Sequence, residues 1–127
     1  MSAFETARKF FDACEAPAGW AGCKEFCEDG ATFIAQSEPL IDVTTIEAYA
    51  DWMHGFGTVT AAGATYTLHS ASWDDDSRSA VFFATYHATH VGEGGPVPPT
   101  NKSVDSHYVY IVNMSDNNKV AGMTKVW

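Results

Sequence analysis

The apolar positions of this chain change period along its length, and the order of the periods predicts its elements. Phe4, Ala7, Phe10, Phe11 and Cys14 recur at helical spacing, so roughly residues 3–14 are predicted to form an amphipathic helix. Ser2 stands at its N-cap, with Glu5 three residues on as the capping-box acid. Pro17 and Gly19 break that helix. Residues 20–27 read as a short second helix with Trp20, Cys23 and Cys27 on one face, ended by Asp29 and Gly30, and residues 31–35 as a short strand. A third helix opens at Thr44 or Thr45, with Glu47 as a capping-box acid. It buries Ile46, Tyr49, Ala50, Met53 and Phe56 and stops at Gly55 and Gly57.

Three long alternating runs follow. Residues 64–73 lead into a polar hairpin turn, Asp74, Asp75, Asp76, Ser77 and Arg78. Residues 80–91 put Phe82, Ala84, Tyr86, Ala88 and His90 on one side, and Val81, Phe83, Thr85, His87 and Thr89 on the other. Residues 102–114 place Val104, Ser106, Tyr108, Tyr110, Val112 and Met114 on one side, opposite Asp105, His107, Val109 and Ile111. The stretch from Gly92 to Thr100 holds three prolines, which cannot donate to a sheet ladder, so it reads as a loop. A turn at 115–118 leads to a last strand over 119–127.

Helices first and an antiparallel sheet last predict one α+β domain over residues 1–127. Its N-terminal helices would pack in a cone against a strongly curved antiparallel sheet. The long strands carry apolar groups on both faces. Helices would cover one face, and a second copy of the chain is expected on the other, through Phe83 and Val109 or Ile111.

Composition narrows the function classes. Hydrophobic residues at 46% support a packed core rather than disorder. Sixteen acidic residues against seven basic ones give a net charge of −9, which repels nucleic acid and anionic membrane surfaces, so neither is an expected partner. No run approaches the ~20 apolar residues of a membrane span. The first residues lack a signal-peptide pattern, and Cys14, Cys23 and Cys27 read as reduced thiols, so a cytoplasmic location is expected.

Several segments together carry a family resemblance. They are the opening helix, Phe26 to Phe33 entering the first strand, Thr44 to Tyr49 at the third helix start, and the closing hairpin from His107–Tyr110 through Asp116–Asn118 to Lys125, Val126 and Trp127. In order and spacing the chain resembles the nuclear transport factor 2-like superfamily with the cystatin-like fold, and within it the SnoaL-like polyketide cyclase branch. The resemblance implies a helix-lined cone closed by a curved sheet. It also implies an activity among cyclases, isomerases, epoxide hydrolases and dehydratases, or a binding role without catalysis. In ketosteroid isomerases the position of the aspartate base corresponds to Ala35, with Glu38 the nearest ionisable residue, and the protonated acid of the penultimate strand corresponds to about Tyr110. The late acid–base carboxylate of the cyclases has Lys125 at its place.

Candidate chemistry follows from side-chain type and parity. Tyr86, Tyr108 and Tyr110 share a face, and phenols hold aromatic or carbonyl ligands by stacking and hydrogen bonding; cross-strand core packing is the plainer alternative. His90 closes that face at a strand end and suits a general acid or base, or is a solvated loop-edge histidine. Asp105 and His107 lie two apart on one face and could pair. Lys125 lies between Met123 and Trp127 on one face of the last strand, and either orients an anionic ligand, serves as a reactive amine, or snorkels. Gln36, Glu38, Trp52 and His54 lie on segments that rim the cavity in the resembled fold, and Pro39 presents Glu38 at a turn.

The expected catalytic residues are therefore His90, Tyr110 and Glu38. Tyr86, Tyr108, Trp52, Met53 and Phe56 are expected to bind ligand, together with Met123, Lys125 and Trp127. His87 and His90 fall on opposite faces and the cysteines lack a second ligand pair, so neither a metal nor another cofactor is expected. The function expected is binding of a small hydrophobic ligand, with acid–base cyclase or isomerase chemistry on a carbonyl compound as the enzymatic reading. The alternative is a non-catalytic ligand-binding or interaction domain.

Overall fold

The computed structural model describes residues 1–93 and 97–127, so part of the predicted proline loop, residues 94–96, lies outside the described residues. Helix α1 spans Ala3–Glu15, and the Ser2 hydroxyl accepts a hydrogen bond from the Glu5 amide as its N-cap. It runs one residue past the predicted end. Helix α2 covers only Gly19–Cys23, followed by a tight 3-10 turn at Lys24–Phe26. Strand β1 spans Cys27–Ala35 and so begins four residues earlier than predicted. Gly30, at φ +70°, lies where the register shifts between Cys27 and Thr32. The Asp29–Gly30 pair that reads as a helix stop is thus an irregularity inside a strand, in a conformation glycine adopts without a steric cost.

Helix α3 spans Ile46–Gly55, and the Thr45 hydroxyl accepts from the Ala48 amide. The α-helix ends at Gly55 as predicted, but the winding does not stop there or at Gly57. The chain winds on through one π-type turn, Phe56–Thr60, with the Ala61 amide donating to the Phe56 carbonyl. Four strands follow: β2 (Thr65–Asp74), β3 (Ser79–Thr89), β4 (Ser103–Met114) and β5 (Val120–Val126).

The sheet order is β1-β5-β4-β3-β2. Strands β2 to β5 form an antiparallel meander as predicted, while β1 joins β5 in parallel, so the sheet is mixed. A parallel pair needs a long connection, and everything from α3 to β4 supplies it. At that seam a Cβ on Gly122 would stand 2.6 Å from Thr32 Oγ1, so any larger residue there would force the Thr32 side chain to move.

The helices cover the face that carries Phe82, Tyr108, Tyr110 and Val112, as parity predicts. Phe11 stacks on Phe82 at 4.9 Å and meets Tyr110 edge-on at 4.9 Å. Each such fully buried phenylalanine contributes about 1.5–3 kcal/mol. No helix among the described residues covers the opposite face, where Phe83 is 38% exposed. Among the described residues no helix is long and apolar enough to cross a membrane.

Candidate functional site

The last residue of α1 sits on that helix's apolar stripe, four positions after Phe11, and is an acid. Glu15 is only 3% exposed. Tyr108 Oη donates to its Oε2 at 2.5 Å, and Tyr110 Oη donates to its Oε1. Tyr110 Oη also shares a short hydrogen bond with Tyr49 Oη from α3. Lys125 Nζ on β5 donates to Tyr49 Oη at 3.1 Å. A chain of hydroxyls therefore runs from an amine to a buried carboxylate, built from α1, α3, β4 and β5.

Electrostatics at this cluster follow from burial. Desolvation raises the Glu15 pKa, opposed by Lys125 and by hydrogen bonds from Tyr108 and Tyr110. Desolvation lowers the Lys125 pKa, opposed by Glu15. Tyr49, Tyr108 and Tyr110 are all pushed upward, first by burial and then by the Glu15 charge, so they stay protonated and donate. Lys125 Nζ lies 5.2 Å from the centroids of Tyr49 and Tyr108, 5.8 Å from Tyr110 and 5.4 Å from Trp127. Ring faces at such distances replace part of the water the amine has lost.

Tyr108 and Lys125 also form part of the wall of a cavity of about 1190 Å³. A run of aromatic contacts builds one side. Trp52 stacks on Phe56 at 5.1 Å, Phe56 meets Tyr86 at 6.0 Å, and Tyr86 meets Tyr108 edge-on at 6.3 Å. The π-type turn after α3 aims Phe56 at this wall. Burial, then the Glu15 charge, pushes the Tyr86 phenol up to about 12.

Of the residues singled out in the sequence, the cavity wall brings together His90, Glu38, Tyr86, Tyr108, Trp52, Met53, Phe56, Lys125 and Trp127. Tyr110 and Met123 do not reach it. Both are buried behind the wall, Tyr110 at 0% exposure and Met123 at 2%. Parity puts Tyr110 on the correct face, but at its depth along β4 Phe11, Glu15 and Tyr49 close the cone over it. Glu38 is an exposed rim residue. Gln36 lines a separate small pocket, and His54 Nδ1 is 2.9 Å from the Pro17 carbonyl. His90 Nδ1 stands 3.4 Å from Thr100 Oγ1, and its buried Nε2 finds no hydrogen-bond partner among the described residues.

The Asp105–His107 pair that the spacing allows does not form. Asp105 Oδ1 is 2.7 Å from Nδ1 of His87, its direct cross-strand neighbour, and His107 Nδ1 is 2.7 Å from Thr85 Oγ1. Directly opposed residues on one face are closer than residues two apart on one strand. Among the described residues no group of three or more His, Cys, Asp or Glu side chains converges as a metal site. Sequence reasoning missed Glu15. Its signal was available: an acid at the next step of the Phe4, Ala7, Phe11 stripe, where a solvated residue would not fall.

No family model matches the sequence, and no curated protein matches it. Solved structures do. One is a candidate SnoaL-like polyketide cyclase from Jannaschia, 22% identical, covering 97% of this chain and 83% of that one, with a TM-score of 0.76. A nuclear transport factor 2-like protein from Burkholderia thailandensis is 11% identical, covering 98% and 89%, with a TM-score of 0.74. AclR, a candidate hydroxylase from Streptomyces galilaeus, is 18% identical, covering 98% and 77%, with a TM-score of 0.73. At such identities the likeness is one of fold: the chain has the cystatin-like α+β fold of the SnoaL-like and nuclear transport factor 2-like proteins.

Proposed function

We propose that this protein binds a small, largely apolar compound bearing a carbonyl group and acts on it by acid–base chemistry. One observation carries the reading. An ionisable pair, Glu15 and Lys125, is joined by tyrosine hydroxyls at one end of an aromatic-walled cavity. Apolar walls with a few convergent polar groups are what a ligand of this class needs. Lys125 reaches the cavity and would hold the carbonyl oxygen, while Tyr108, whose proton is held by Glu15, offers its ring to the ligand. The Lys125 donor would gain strength as negative charge develops there in an enolate-like transition state. His90 and Glu38, both on the cavity wall, are the groups that would move a proton at carbon. The polyketide cyclase among the structures of like fold supports this class of substrate by analogy, since fold alone does not assign a reaction.

A second reading rests on a different observation. Both Glu15 oxygens are already engaged by phenols, and the carboxylate is 3% exposed, which favours a structural acid beneath a non-catalytic binding pocket. Titration with 2-tetralone, followed by tryptophan fluorescence, separates the possibilities when paired with proton exchange at the ketone's α-carbon in deuterated buffer. Binding with exchange above the buffer rate supports the enzyme, and binding without exchange supports the second reading. Failure of 2-tetralone and of a panel of related apolar ketones to bind overturns both.

We also propose that a second copy of the chain covers the outer sheet face around Phe83, Val109 and Ile111. Among the described residues no helix packs on that face, and Phe83 is 38% exposed between His69 and His107. Light scattering at tens of micromolar, roughly where modest interfaces assemble, should give twice the chain mass, and Phe83→Glu should halve it. A wild-type monomer overturns the proposal.

A further inference from the structure

We propose that Lys125 is a nucleophilic amine that forms an imine with an aldehyde or ketone held in the cavity. The proposal rests on the reading of the cavity as a site for apolar carbonyl compounds and names the bond that would form there. Its basis is the path from Lys125 to Glu15. Among the described residues no carboxylate lies within ion-pair distance of Nζ. What Nζ meets is four aromatic rings and the hydroxyl of Tyr49. From there the hydrogen bonds run on through Tyr110 to Glu15.

One proton can move along this path without any heavy atom moving far. Nζ gives a proton to Tyr49 Oη, Tyr49 gives its own to Tyr110, and Tyr110 gives its own to Glu15 Oε1. The result is a neutral amine facing the cavity and a neutral carboxylic acid in the core, in place of two buried charges that are not in contact. Burial disfavours both charged forms, which is the direction in which the Lys125 and Glu15 pKa values move. An amine freed of its proton and placed on the wall of an aromatic cavity is a nucleophile.

The chemistry balances with the groups present. The Nζ lone pair attacks the carbonyl carbon, and the C=O electron pair moves to oxygen. One amine proton passes to that oxygen, giving a carbinolamine. The proton stored on Glu15 returns through Tyr110 and Tyr49 to Nζ, which passes one to the carbinolamine hydroxyl. Water leaves, the nitrogen lone pair closes the C=N bond, and a protonated imine remains opposite an ionised Glu15. Tyr49, Tyr110 and Glu15 act through Lys125 and do not touch the ligand.

The test uses the full chain with 2-naphthaldehyde as the probe and sodium cyanoborohydride as the trap. The expected product carries one naphthylmethyl group, mapped by peptide mass spectrometry to Lys125. Lys102, also on the cavity wall, is an internal control for simple proximity. Lys125 should label faster than Lys102, because burial lowers its pKa and leaves more of the amine unprotonated. Lys125→Arg, which keeps a cation at the position, should abolish that label. Tyr49→Phe breaks the path while keeping the ring, and should slow trapping by about a hundredfold, the usual worth of a positioned proton-transfer group. Equal labelling of all lysines, or no label while 2-naphthaldehyde still quenches tryptophan fluorescence, overturns the imine and leaves the binding reading standing. Absence of both quenching and label overturns the two together. An unchanged rate in Tyr49→Phe overturns the relay.

Discussion

Tyr110 donates a hydrogen bond to Glu15 across 95 residues of sequence, tying the last turn of α1 to the middle of β4. The same hydroxyl meets Tyr49 of α3. One phenol thus joins three elements in a place with almost no water. The bonds formed there are strong, and the groups they satisfy would be costly to leave alone.

Removing the acid should therefore cost more than removing its charge. Glu15→Ala leaves a void and two buried phenol donors without an acceptor, and should lower the unfolding free energy by about 2–4 kcal/mol. Glu15→Gln keeps the shape and one acceptor and should cost less than about 1.5 kcal/mol. Urea midpoints at constant slope check the order. Equal losses in the two variants would contradict it.

The pH dependence has a definite sign. Burial raises the Glu15 pKa in the folded state above its usual 4.5. Over the interval above 4.5 the native state binds more protons than the unfolded state, so stability falls as pH rises until the folded pKa is passed. Glu15→Gln removes this contribution. The wild type should lose stability relative to Glu15→Gln as pH rises from 4.5, and the difference should then level off. Lys125 acts oppositely: its pKa is lowered in the folded state, so its contribution is present above 10.5 and is lost as pH falls through the depressed value. Denaturation of the wild type, Glu15→Gln and Lys125→Met from about pH 4 to about pH 11, a range that spans the ordinary values of both groups, reads the two slopes.

Ligand contact should depend on Tyr108 rather than Tyr110. Tyr108 lines the cavity, while Tyr110 lies behind it. Tyr108→Phe removes a donor to Glu15 at the cavity wall and should lower ligand affinity as well as stability, by about 0.5–1.5 kcal/mol each. Tyr110→Phe should act mainly on stability, by about 1–3 kcal/mol, because it strands Tyr49 and Glu15 together. Isothermal titration and urea denaturation of the two variants tell these effects apart.

The parallel seam supplies a test of the fold. Gly122→Ala puts a methyl group 2.6 Å from Thr32 Oγ1 and should cost about 1–3 kcal/mol through overpacking. Thr32→Ala in the same chain should recover part of that loss, as contacting residues are not additive. A double variant no more stable than Gly122→Ala alone would place the strain elsewhere.

The sequence by itself determined the elements whose signals are local. The Ser2 and Thr45 caps, the apolar stripes of α1 and α3 and the alternation of β3 and β4 all depend on neighbours within a few positions, and each stands in the fold where those neighbours put it. Parity placed Tyr86, Tyr108 and Tyr110 on the helix-covered face for the same reason. Tertiary structure alone decided what depth and pairing add. Asp29 and Gly30 became part of a strand because β5 pairs in parallel with Cys27 before them and with Thr32 to Ala35 after them. Asp105 found His87 rather than His107 because the β3–β4 register set them opposite each other. Tyr110 sank behind the cavity wall while Tyr108 stayed on it, because Tyr49 of α3 packs over Tyr110, whereas Tyr108 meets Tyr86 on the wall. Glu15 was visible as an acid on an apolar stripe. That two phenols satisfy it, and that an amine lies two hydroxyls further on, follows from bringing four separate elements to one point. No local pattern records such a meeting, because the energy that fixes it comes from desolvating all of them together.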